Sequence, residues 1–126
     1  MSNTICIFQE KREGDVWNYD GEFPYDGQDY ELFGWLNGSE FKTPFTSIAK
    51  SRGLPDDIAK ETRDRIEGVM GEEGFGESWL TFKEILDDVE GDPEKANRFE
   101  EFLSSVRLIT ETDDPELHRI VFCFII

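Results

Sequence analysis

The closing run Arg119-Ile120-Val121-Phe122-Cys123-Phe124-Ile125-Ile126 restricts the fold more than any other stretch. Successive side chains of a strand point to opposite faces, so a run that is apolar at nearly every position has two faces to bury. This strand belongs in the middle of a sheet or under helices. At the other end, residues 4–10 alternate around Ile5, Ile7 and Cys6, Phe8 and also read as a strand. Glu13-Gly14-Asp15 signals a turn, and Val16-Trp17-Asn18-Tyr19 returns as a second strand. Residues 107–126 suggest a hairpin, with Leu108 to Glu111 as one arm and Asp113-Asp114-Pro115 as the turn.

The middle of the chain has helical spacing. Asp29 caps a short helix carrying Tyr30, Leu32, Phe33 and Leu36, ended by Asn37-Gly38. One helical turn is expected over residues 47–52, stopped by Gly53. Residues 56–70 form an amphipathic helix with Ile58, Ala59, Thr62, Ile66, Val69 and Met70 on one side and Glu61, Asp64 and Glu67 on the other. Thr81-Phe82-Lys83-Glu84 is a capping box, with Leu80 and Ile85 as its hydrophobic staple. Asp92-Pro93 opens a further helix with Phe99, Phe102, Leu103 and Val106 as its buried stripe. The predicted architecture is a single α+β domain over residues 1–126. It has a small antiparallel sheet from the N- and C-terminal segments and three to four helices packed on one face.

Of the 126 residues, 29 are Asp or Glu and 13 are Lys or Arg, giving a net charge of −16. Leu, Ile, Val and Phe still make up 27% of the chain, above the roughly 20% below which acidic chains stay disordered. The charge excludes direct nucleic-acid binding through phosphates and disfavours anionic membranes. No apolar run approaches a membrane span, and the start lacks a signal-peptide pattern. The charge is uneven: −7 over residues 1–40, +3 over 41–54, −9 over 55–92 and −3 over 93–126. A domain of this length is roughly 35 Å across, and duplex DNA of that length carries on the order of twenty phosphates. The protein's charge is of that order, which admits nucleic-acid mimicry.

Few residues fit a catalytic pattern. His118 is the single histidine, which leaves no His-based metal cluster. His118 and Cys123 are five apart on one strand, hence on opposite faces, so a Cys–His dyad is not expected. Cys6 and Cys123 read as buried free thiols of a reducing cytoplasm rather than a disulfide. The loop Gly71-Glu72-Glu73-Gly74-Phe75-Gly76-Glu77 carries three glutamates that would repel phosphate, and reads as a mobile acidic connection. Asp26, Asp29 and Glu31 are close enough to hold a hard cation but do not match EF-hand spacing; cap and loop roles are expected.

Five segments in order resemble a family of small bacteriophage and prophage proteins. They are Ile5-Cys6-Ile7-Phe8-Gln9-Glu10, Asp29-Tyr30-Glu31-Leu32-Phe33-Gly34-Trp35-Leu36, Arg52-Gly53-Leu54-Pro55-Asp56-Asp57, Ser78-Trp79-Leu80-Thr81-Phe82 and Arg119-Ile120-Val121-Phe122-Cys123-Phe124. The family pattern places an Asp and a His near the start of the first strand and a His-rich stretch before Ser-Trp. Here Thr4 and Cys6 stand in the first place, and Gly74, Phe75, Gly76 and Glu77 in the second. The resemblance therefore implies a degenerate member without the family's histidines, a scaffold reused for binding rather than catalysis.

Together these readings suggest a non-enzymatic, cofactor-free anti-defence inhibitor of phage type, an anti-CRISPR-like DNA mimic in the host cytoplasm. Its expected partner is a basic host nuclease or CRISPR effector complex, bound through acidic helices and loops, with no direct nucleic acid and no membrane. Expected contacts are Asp64, Glu67, Glu72, Glu73, Glu77, Asp87 and Asp88, with Trp35 and Phe75 adding specificity. The alternatives are a carboxylate enzyme using a divalent cation on a nucleotide, and an accessory phage protein without inhibitory role. The chain is expected as a monomer or a homodimer.

Overall fold

A computed structural model describes residues 3–126. Four strands, β1 (Thr4–Glu13), β2 (Val16–Glu22), β3 (Phe75–Thr81) and β4 (His118–Ile125), form one antiparallel sheet in the order β2-β1-β4-β3. β4 is central, as its two apolar faces require. It pairs with β1 from Thr4↔Ile125 to Lys11↔His118, and with β3 on its other side.

Alternation along these strands separates two cores. Ile5, Ile7, Leu80, Ile120, Phe122 and Phe124 face one layer; Phe8, Val121 and Cys123 face the other. Four helices cover the first face: α1 (Tyr30–Leu36), α3 (Phe82–Val89), α4 (Pro93–Arg98) and α5 (Glu100–Thr110). The α+β class and this helical layer are as expected. A fifth helix, α2 (Lys60–Met70), crosses the second face and buries Thr62 and Ile66 there.

The helix boundaries follow the capping chemistry. The Asp29 side chain accepts from the backbone N–H of Glu31 and Leu32. Thr81 Oγ1 accepts from Glu84 N at 3.1 Å while Glu84 Oε1 accepts from Thr81 N at 3.0 Å, completing the capping box. Asp92 caps α4 through Lys95 N, with Pro93 at its first position.

Four local expectations are corrected. Residues 47–52 form no helical turn, because their backbone bonds elsewhere: Ile48 N donates to Trp35 O and Arg52 N to Ser78 Oγ. The expected acidic connection ends at Gly74, and Phe75 opens β3. Its inward residues are Gly76, Ser78 and Leu80, so no apolar alternation marks it. Gly76 lies at φ +66° beside a register shift, and a Cβ there would meet Phe124 at 2.8 Å. Leu108 to Thr110 are not a hairpin arm but the last turn of α5. The helix expected over 56–70 begins only at Lys60, because Pro55 O and Glu10 Oε2 take the N–H groups of Ile58 and Ala59.

Candidate functional site

The structure divides the nine expected contact residues into three groups. Trp35 is fully buried, stacked on Phe99 with ring centroids 4.7 Å apart, and its Nε1 donates to Asp88 Oδ2 at 2.7 Å. Trp35 is therefore a core residue and presents no contact surface. Phe75 is half-buried and packs on Phe41 and Phe124. Asp88 also receives Lys95 Nζ at 3.0 Å, so this carboxylate, three-quarters hidden, ties α3 to α1 and α4.

Three more acids are neutralised along their own helices. Lys60 pairs with Asp64, Arg63 with Glu67 and Lys83 with Asp87, each at i,i+4 spacing. With Arg65–Glu61 as well, α2 carries three cations and three carboxylates. It is a laced, neutral helix rather than an acidic one.

Glu72, Glu73 and Glu77 take part in no ion pair among the described residues. The α2 C-terminus brings them together. Gly74 N and Glu73 N both bond to Met70 O, folding the turn back against the helix end. Glu67 and Glu77 border one depression with Leu54 and Met70. Glu72 and Glu73 border the adjoining one with Val69, Met70, Ile125 and Ile126. Val69 and Ile126 are 42% and 56% exposed, so an apolar patch at the end of α2 has glutamates on its rim. That is the anatomy of a docking surface, an apolar centre within a polar border.

The same sheet face holds a second feature that sequence reasoning missed. Beyond the N-terminal end of α2, Arg12, Trp17, Trp79 and Arg119 line an open groove of about 870 Å³ together with Arg52 and Asp57. Aromatic and cationic groups alternate across it. The Arg119 guanidinium lies 4.1 Å from the Trp17 ring centroid and 5.4 Å from that of Trp79, and Arg52 covers Trp79 at 4.7 Å. Buried Glu10 accepts from Arg119 Nε at 2.7 Å, and Asp57 Oδ1 accepts from Arg119 Nη1 at 2.9 Å. Arg52 grips Glu84, and this contact holds the Glu84 carboxyl below its ordinary pKa. Arg12 has no carboxylate partner among the described residues, and its Nε is buried without an acceptor. The readable signal was Arg119 itself, a charged residue opening a strand that buries both faces.

The Asp29–Glu31 pair holds a cation of the protein's own. Arg98 donates to Asp29 Oδ2 at 2.6 Å and Oδ1 at 3.0 Å, and to Glu31 Oε1 at 2.9 Å. Asp26 is not part of that grip. Among the described residues no three His, Cys, Asp or Glu converge as a metal-ligand set, and no helix is long and apolar enough to cross a membrane. The chain matches no protein-family model, no curated protein and no solved structure.

Proposed function

We propose that this chain works by binding, as an acidic competitor for the nucleic-acid-binding surface of a basic host nuclease or CRISPR effector complex, in the manner of a phage anti-defence inhibitor. The observation that carries this reading is the apolar patch of Val69, Met70 and Ile126 rimmed by Glu72, Glu73 and Glu77, unpaired among the described residues, with the Arg63-paired Glu67 beside them. The wider charge balance supports it. Among the described residues, nine of the 13 Lys and Arg are engaged in ion pairs, leaving Arg12, Lys42, Lys50 and Arg107, and seventeen of the 29 acids are left over. Excess acid steers the approach to a basic surface, and the apolar centre holds the complex once water is expelled.

The test is affinity capture from nuclease-treated bacterial lysate at low salt, followed by elution with duplex DNA. The reading expects nucleic-acid-binding proteins that DNA displaces and that about 0.5 M salt releases. The triple variant E72Q/E73Q/E77Q captures them at least tenfold less well. Retention of proteins that DNA does not displace, or equal capture by the variant, overturns it.

A further inference from the structure

We propose that Cys6 and Cys123 form a peroxide-reactive dithiol that closes into a disulfide joining β1 to β4. The two residues are direct partners in the β1–β4 register. Opposed residues of an antiparallel pair stand about 4.5–5.5 Å apart at Cα, inside the span a disulfide bridges. Both side chains project from the α2 face, beside Phe8 and Val121.

Access makes the pair unequal. Cys6 is partly exposed and lines a cleft of about 560 Å³ whose other walls include Glu22, Pro24, Tyr25 and Val69. Cys123 is fully buried. A small polar oxidant entering the cleft meets Cys6 first, and Cys123 waits behind it. The ionisation preferences agree with that order. The neighbouring Cys123 thiol lowers the Cys6 pKa, against burial and the Glu22 charge. The Cys6 thiol and burial push the Cys123 thiol up, with Glu77 adding to the effect. Of the two, Cys6 is the one favoured as thiolate, the nucleophilic form, and Cys123 the one favoured as thiol.

The chemistry balances with hydrogen peroxide as oxidant. The Cys6 thiolate sulfur attacks one peroxide oxygen; the S–O bond forms, the O–O bond breaks, and hydroxide leaves and is protonated to water. Cys6 is then a sulfenic acid. The Cys123 sulfur attacks the Cys6 sulfur; the S–S bond forms, the S–O bond breaks, and the departing hydroxide takes the Cys123 proton as a second water. Two thiols are oxidised and one peroxide is reduced.

The test treats the reduced full-length chain with a few equivalents of hydrogen peroxide near neutral pH and reads intact mass under denaturing conditions. Expected is the loss of two hydrogens with both thiols vanishing together, in a monomer that dithiothreitol restores. Because the link closes a loop of more than a hundred residues, Tm rises by about 10 °C. C123S strands Cys6 as a sulfenic acid that dimedone labels, whereas Cys123 in C6S stays unlabelled. Oxygen adducts on the wild-type chain without loss of two hydrogens, a disulfide between two chains, or faster labelling of Cys123 than of Cys6 overturns the proposal.

Discussion

Arg119 and Glu10 meet across 109 residues of chain, Nε to Oε1 at 2.7 Å, with Glu10 wholly hidden from solvent. Glu10 Oε2 also accepts from Ala59 N at 2.9 Å, so this carboxylate fixes the entry to α2 as well as the β1–β4 pair. Removing the guanidinium leaves a buried charge with one backbone donor. R119A is expected to lose about 3–5 kcal/mol, measured by urea denaturation. A loss under about 1 kcal/mol would show that water reaches Glu10 and that the stack between Trp17 and Trp79 contributes little.

Neighbouring acids on α3 differ in what they hold. Asp87 makes an exposed pair with Lys83, whereas Asp88 satisfies Trp35 Nε1 and the buried Lys95 ammonium. D87A should shift stability by less than about 0.5 kcal/mol. D88A orphans a buried indole donor and costs about 2–3 kcal/mol. Thermal unfolding of the two variants side by side decides this, and equal effects would place Asp88 on the surface.

Two helical glycines should respond in opposite ways to alanine. A Cβ at Gly34 would lie 2.8 Å from the Phe41 carbonyl oxygen and 3.0 Å from Thr43, so G34A forces α1 away from the segment that follows it. It is expected to destabilise by about 1–3 kcal/mol. Gly68 in α2 has nothing within 4 Å, and G68A should stabilise by about 0.5–1 kcal/mol through helix propensity. Chemical denaturation reads both signs.

Acid should loosen the fold through Glu84 and Asp29. Arg52 holds the Glu84 carboxyl below its ordinary value of 4.5. Burial works to raise Asp29, but the contacts from Arg98 and the α1 backbone outweigh it and lower its pKa below 3.8. A depressed carboxylate contributes stability that is present above the unfolded pKa and lost as pH falls through the folded one. Tm is therefore expected to be level above about pH 5 and to fall as pH drops below about 4. R52A and R98A should each flatten that fall. An unchanged acid limb in both would show that neither pair survives in solution.

Elements whose residues satisfy one rule throughout were legible in the sequence. β4 is apolar on both faces, α1 and α3 begin at side-chain caps, and β1 opens on an apolar run with Ile5 and Ile7 on one face and Cys6 and Phe8 on the other. β3 was not, because close packing against Phe124 demanded a glycine where a strand pattern asks for an apolar residue. Nor was the division of the acids. Asp64 and Glu72 look alike in a charge count, and only the helical register shows that the first already has Lys60 as a partner. Trp35 failed as a contact residue because its indole N–H had a carboxylate 53 positions away, a relation no local pattern encodes.

The pairing of β1 with β4 also sets an order of events during synthesis. Every residue from Thr4 to Lys11 must wait for a partner between His118 and Ile125. Until the ribosome has released that last strand, Phe8, Ile5 and Ile7 have only the β2 hairpin on one side and nothing on the other. Such distant pairing folds slowly. A nascent chain halted before residue 118 is thus missing the middle of its sheet, and exposes the apolar surface that chaperones and proteases recognise.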